Sequence, residues 1–228
     1  MSSQALLHFK NIKKSFSGNV VLDGVNFEIY PGQVVALAGE NGAGKTTLIK
    51  TMLGVARPDG GTVRLLGREA EQAKADIGVV LEDCFFYEGL HPRDVGRVLG
   101  GVYPTWDGAL FESYLNQFGL ADKKSIRALS RGMRMKLSLA AALAHRPRLL
   151  LLDEATSALD NESEILVSES LEKLAHNRTT LTIAHRLTTV KDYDRIVVLG
   201  DDGIEEIGTH EELLLKKGTY YKLWNKIR

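Results

Sequence analysis

Cysteine is almost missing from this sequence: Cys84 is the only one in 228 residues, so no intrachain disulfide can form, and a reducing compartment suits the chain. Charge of one sign is not in excess either. Twenty-nine basic and 29 acidic side chains give a formal net charge of zero, without the basic surplus of a nucleic-acid binder or an anionic-membrane binder. Any anionic ligand must then be held by local geometry at loops and helix ends. Long hydrophobic runs are also lacking. No stretch reaches the roughly 18 apolar residues that span a bilayer, and residues 1–10 have no apolar core of a secretory signal, so a soluble protein is expected. Internal repeats and low-complexity linkers are absent. What is present is an ordinary globular composition, 44% hydrophobic and 25% charged, long enough to bury a core as one large domain or two small ones.

Hydrophobic patterning sets out the elements. Val25, Phe27 and Ile29 alternate with Asn26, Glu28 and Tyr30 before Pro31-Gly32, the pattern of a half-buried strand in an N-terminal antiparallel sheet. The apolar run 34–38 predicts a buried strand, followed by a glycine-rich loop and a helix over 45–53 with Gly54 as its C-terminal stop. Residues 94–144 carry helical patterns, clearest over 107–118 and over 131–144, where Ser130 is placed to cap. Two further apolar runs, 149–152 and 179–184, flank a helical stretch at 162–174, the pattern of parallel strands joined by a crossover helix. Asp201-Asp202-Gly203 predicts a hairpin turn, and Thr209 with Glu212 a capping box before a helical pair broken at Gly218.

Gly39-Glu40-Asn41-Gly42-Ala43-Gly44-Lys45-Thr46 fits the phosphate-loop pattern, in the strand-loop-helix context its chemistry requires, and Thr47 continues it into the helix. Glycines let successive backbone N–H groups converge on phosphate oxygens, and the helix N-terminus adds a favourable dipole. Lys45 would reach the terminal phosphates, and the Thr46 hydroxyl would ligate magnesium. A merely flexible glycine turn would not need those flanks.

Leu149-Leu150-Leu151-Leu152-Asp153-Glu154 ends an apolar strand in two carboxylates, at the strand end where α/β sheets bind ligands. Successive strand side chains point opposite ways, so the two acids should have different tasks: Asp153 on magnesium through water, Glu154 on the attacking water. Up to this point any phosphate-loop NTPase, whether kinase, GTPase or transport motor, fits equally.

Leu129-Ser130-Arg131-Gly132-Met133, shortly before the acidic strand, resembles the signature sequence of ATP-binding-cassette ATPases. The resemblance covers essentially the whole chain, with the motifs in the family's order. Phe16 matches the aromatic that stacks on adenine, Ser157-Ala158-Leu159-Asp160 the dimer-contact loop, and His185 the switch histidine. Taken alone, Phe16 would pass for packing and His185 for a surface histidine; their positions give them roles. The resemblance implies an α/β phosphate-loop NTPase with a mixed sheet core, an N-terminal antiparallel β subdomain and an inserted helical signature subdomain. It implies one domain over 1–228, with 1–81 and 145–228 as core and 82–144 as the helical part. It also implies two Mg-ATP sandwiched between two subunits, in a homodimer or with another such ATPase. Each site would combine Lys45, Thr46, Asp153, Glu154 and His185 of one subunit with Ser130 and Gly132 of its mate.

The pattern departs from the family at three places. Glu82 stands where a glutamine is usual after the strand at 77–81, adding a carboxylate that can still ligate magnesium, so altered metal dependence is expected. Arg131 and Met133 replace the usual glycine and glutamine of the signature. From 77 to 144, including Tyr103-Pro104-Thr105-Trp106-Asp107, the chain resembles bacterial exporters whose ATPase is a separate polypeptide. Beyond Glu154 it resembles exporters with a fused ATPase, as in Thr182-Ile183-Ala184-His185-Arg186-Leu187 and Gly208-Thr209-His210-Glu211-Glu212-Leu213. Such a mosaic implies a natural intermediate branch or a recombined chain. The function implied is ATP hydrolysis that drives a membrane-spanning subunit, with the ATPase on the inner face of the cell membrane and residues 82–103 as the docking surface. Nothing resembles the Asn-Lys-x-Asp run that specifies guanine, so adenine is expected. The rival readings are a soluble regulator that uses ATP-driven dimerisation, and a hybrid that binds ATP but dimerises or hydrolyses poorly.

Overall fold

The computed structural model describes residues 4–81, 84–121, 125–153, 178–184, 187–200 and 203–226. In chain order the elements begin β1 (Leu7–Phe16), β2 (Asn19–Ile29), β3 (Val34–Gly39), α1 (Lys45–Met52), β4 (Gly60–Leu65) and α2 (Ala70–Ala73). They continue with β5 (Ile77–Val80), α3 (Pro92–Gly100), α4 (Gly108–Gln117), α5 (Arg131–Ala144) and β6 (Leu149–Asp153). The last are β7 (Thr179–Ile183), β8 (Arg195–Gly200), β9 (Gly203–Gly208), α6 (His210–Lys216) and α7 (Thr219–Asn225). The expected crossover helix at 162–174 lies outside the described residues. The chain divides into two compact units, 1–74 with 177–228, and 75–176.

In the first unit β1 lies between β2 and β4 in an antiparallel sheet. The alternation of β2 is realised: Val25, Phe27 and Ile29 are buried while Asn26 is exposed. Ser17 and Gly18 both have positive φ, 50° and 86°, and Phe16 pairs with Asn19, so a two-residue turn of the type matched to strand twist closes the hairpin. β3 runs parallel to β7 on one side and to β8 on the other, and β9 returns antiparallel to β8. Ala36, Ala38, Ile196 and Val198 of these strands pack with Leu213 and Tyr220 of the C-terminal helices. The capping box at Thr209 forms in both directions: its N–H donates to Glu212 Oε2 at 2.9 Å, and Glu212 N–H donates to Thr209 Oγ1 at 3.3 Å. Tyr220 is fully buried, its hydroxyl 2.8 Å from His210 Nδ1, and burial pushes the phenol up to about 12.

In the second unit β5 and β6 pair in parallel. Its core joins α4 and α5 to these strands through Phe111, Leu115, Leu137, Leu143 and Leu150, and each fully buried leucine contributes about 2 kcal/mol relative to an exposed one. The Ser130 cap predicted here is made, and Asp107 adds a second at the start of α4. Ser130 Oγ accepts Met133 N–H at 3.3 Å, and Asp107 Oδ1 accepts Leu110 N–H at 2.9 Å. Asp107 also receives Arg146 at 2.7 Å.

The Leu110 N–H first, and then Arg146, hold the Asp107 carboxyl below its ordinary value of 3.8. A depressed folded pKa stabilises the protein above the unfolded value, and that contribution is lost as pH falls through the folded one. Asp107→Asn should therefore flatten the acid limb of the urea midpoint below about pH 5. Parallel pH profiles for the two proteins would contradict this.

Candidate functional site

Two glycines determine how the phosphate loop sits in the first unit. Gly39 ends β3 at φ 147°, and a Cβ there would fall 2.3 Å from the Leu199 carbonyl oxygen of β8. Gly44 precedes α1 at φ 88°, where a Cβ would lie 2.8 Å from Val21 O and 2.9 Å from Leu22 Cδ2 of β2. No other residue fits either place. The loop is therefore squeezed between β8 and the β1–β2 hairpin, and Asn41, Gly42 and Ala43 form its bend. Ala43 N–H donates to Glu40 O at 3.2 Å, and Leu48 N–H to Gly44 O at 2.8 Å as α1 begins.

Lys45 turns back into this loop. The residue is buried, and Nζ donates to the Gly39 and Glu40 carbonyl oxygens at 2.9 and 2.8 Å. The ammonium is thereby held against the loop backbone rather than in bulk water. Thr46 is exposed at the first turn of α1, and Thr47 follows it, half-buried. Glu40 adds an outer link. Its carboxylate accepts Lys226 Nζ of the C-terminal segment at 2.5 Å, and this bond holds its pKa low.

Phe16 stands at the tip of the hairpin, 49% exposed, with Lys14 Nζ 5.1 Å from its ring centroid. Asp59, at the foot of β4, accepts Lys14 Nζ at 2.9 Å and Ser15 N–H at 2.6 Å. The brace is 45 residues away in sequence, and no local pattern announces it.

In the second unit the sequence-predicted residues fall on two elements. Ser130 caps α5 and is exposed; Arg131, Gly132 and Met133 form the first turn, where helix N–H groups point outward. Arg134 stiffens the approach to this turn. Its Nε donates to Leu129 O at 3.3 Å and its guanidinium pairs with Glu88 at 2.7 Å. Asp153 is half-buried at the end of β6 behind four buried leucines. Glu82, Glu154, the loop of Ser157, Ala158, Leu159 and Asp160, and His185 lie outside the described residues.

A profile of the ABC transporter family matches residues 22–157, more than half of the chain. The chain belongs to the ABC transporter family. This ABC chain is 39% identical over 219 residues to the ATP-dependent lipid A-core flippase of Bordetella pertussis, a match covering 88% of the chain and 35% of that protein. It is 35% identical over 239 residues to ATP-binding cassette sub-family B member 6 of Xenopus tropicalis, covering 96% of the chain and 28% of that protein. A solved structure of a bacterial Atm1-family ABC exporter with ATP bound superposes with a TM-score of 0.85 at 26% identity, over 99% of the chain and 43% of the exporter. The chain thus spans about a third of the length of the curated relatives it matches. It is the nucleotide-binding, ATP-hydrolysing domain type of the ABC family, with the mixed α/β core that the motifs implied. No helix among its described residues is long and apolar enough to cross a membrane.

Proposed function

We propose that this ABC domain hydrolyses Mg-ATP as a head-to-tail pair and thereby drives export through a membrane-spanning partner, at the inner face of the cell membrane. The observation that carries the reading is Lys45, buried within the phosphate loop and bonded to two of its carbonyl oxygens. In that loop the amides following Gly39 and the Lys45 ammonium would hold the β- and γ-phosphates, with Phe16 against the adenine. The Thr46 hydroxyl and the carboxylates of Asp153 and Glu82 are oxygen donors of the kind a hard divalent cation takes. Magnesium bound there would neutralise charge developing on the phosphate oxygens. Glu154 would take a proton from the attacking water, and His185 would hold the γ-phosphate.

Ser130 supports the two-copy arrangement. Its Oγ spends one acceptor position on Met133 N–H and remains exposed at the first turn of α5, suited to cap a phosphate presented by another copy. Ser157, Ala158, Leu159 and Asp160 would line the contact between copies. The relatives named flippase and exporter support a transport role.

An exposed apolar patch on the second unit supports docking of a membrane partner there. Phe85 and Tyr87 are 78% and 77% exposed, beside a cavity of about 230 Å³ lined by Val79, Phe85, Leu99, Tyr103 and Ala142. Such an apolar groove suits a short helix from a membrane subunit.

If two copies make each site, specific Mg-ATPase activity should rise with protein concentration and level off once pairs have formed. Activity independent of concentration down to nanomolar protein, with a monomeric mass throughout, would contradict the pairing.

A further inference from the structure

Lys14 and Phe16 are two residues apart on β1 and so share a face of the strand. The Lys14 ammonium stands over the Phe16 ring at 5.1 Å, within cation–π range. What keeps it there is Asp59. One carboxylate oxygen accepts Lys14 Nζ at 2.9 Å, the other accepts Ser15 N–H at 2.6 Å, and Asp59 N–H donates to Lys13 O at 2.8 Å. A single residue thus grips three successive residues of β1. Pairing of β1 with β4 ends at Lys13–Gly60, and the β1–β2 register is broken between Lys14 and Ser15. The hairpin tip therefore depends on Asp59 for support that a regular ladder would have given. The Lys14 side chain is only 15% exposed although its neighbour Phe16 is 49% exposed. The same hairpin leans on the phosphate loop, through Val21 and Leu22 against Gly44.

An aromatic ring has two faces. Here a cation stands over one, and the ring is half exposed, with area left for a ligand. Because the cation draws π-electron density toward itself, the open face becomes less electron-rich and stacks better on an electron-rich purine. We propose that Lys14, clamped by Asp59, is a specificity-determining positioning residue that sets the Phe16 ring and its electronics for adenine. This rests on the reading that Phe16 stacks on the base.

The test is calorimetric titration of the whole chain with Mg-ATP and, separately, with magnesium tripolyphosphate, which has phosphates but no base. Lys14→Met and Asp59→Asn should each weaken Mg-ATP binding about three- to tenfold. Tripolyphosphate affinity should stay unchanged in both, and Lys14→Arg should restore Mg-ATP affinity. The double variant should be no weaker than either single one, because the two residues act as a unit. Equal losses for Mg-ATP and tripolyphosphate would overturn the proposal, because Lys14 would then act on phosphates or on the fold. Phe16→Ala separates the two levels. If it weakens Mg-ATP while Lys14→Met does not, stacking stands and the positioning role falls; if Phe16→Ala leaves Mg-ATP unchanged, both fall.

Discussion

Lys45→Ala is expected to lower Mg-ATP hydrolysis by ~10²-fold or more, the scale seen when a preorganised donor to transition-state charge is removed. The reason is geometric. Lys45 is buried and bonded to Gly39 O and Glu40 O, so its ammonium is already held at the loop before a phosphate arrives. Alanine keeps the helix start, because Leu48 N–H still donates to Gly44 O, so the thermal midpoint should move far less than the rate. A rate within tenfold of the wild type, measured at saturating Mg-ATP, would show that the loop lysine is not the phosphate ligand.

The second large effect concerns Glu154. If its carboxylate accepts the proton of the attacking water, Glu154→Gln should cut turnover by about 10²–10⁴-fold, the range attributed to general-base catalysis. ATP binding should survive. Because hydrolysis is what would release the paired state, the variant should elute as a dimer with Mg-ATP in size-exclusion chromatography and as a monomer without it. A variant that loses turnover but stays monomeric in ATP would leave Glu154 as a catalytic base in a domain that does not pair in the proposed way. A variant that retains turnover would remove the base assignment.

Much of this was legible because it is local. The 131–144 helix and its Ser130 cap, the capping box at Thr209 and the break at Gly218 depend on residues within a turn of one another. The phosphate loop was legible for a different reason. Its glycines answer to close approaches, to Leu199 O at one end and Val21 O at the other, and glycine is the only residue that leaves such a trace in sequence. The helix α3 was the harder case. It opens on His91-Pro92, with Asp94 Oδ2 accepting His91 N–H at 3.0 Å, but two glycines within it weaken its helical pattern. Least visible were the long-range polar links. Asp59 to Lys14, Lys226 to Glu40 and Arg134 to Glu88 join residues 45, 186 and 46 apart, and an exposed charge carries no mark of the partner it will find once the fold brings them together. Arg134 beside the signature and Lys14 beside Phe16 are two such links next to residues with expected roles.

The central claim is that each ATP is held by the phosphate loop of one copy and the Ser130 turn of another, and mixing two inactive variants tests it directly. Lys45→Ala disables one half of the site and Ser130→Arg the other, so each protein alone should be inactive. In a mixed pair, the loop of the Ser130→Arg copy faces the intact serine turn of the Lys45→Ala copy, which rebuilds one site in two. An equimolar mixture should therefore recover activity, up to about a quarter of the wild-type rate, because half of the pairs are mixed and each has one working site. A mixture as inactive as its components, despite pairing observed with Mg-ATP, would contradict the shared site.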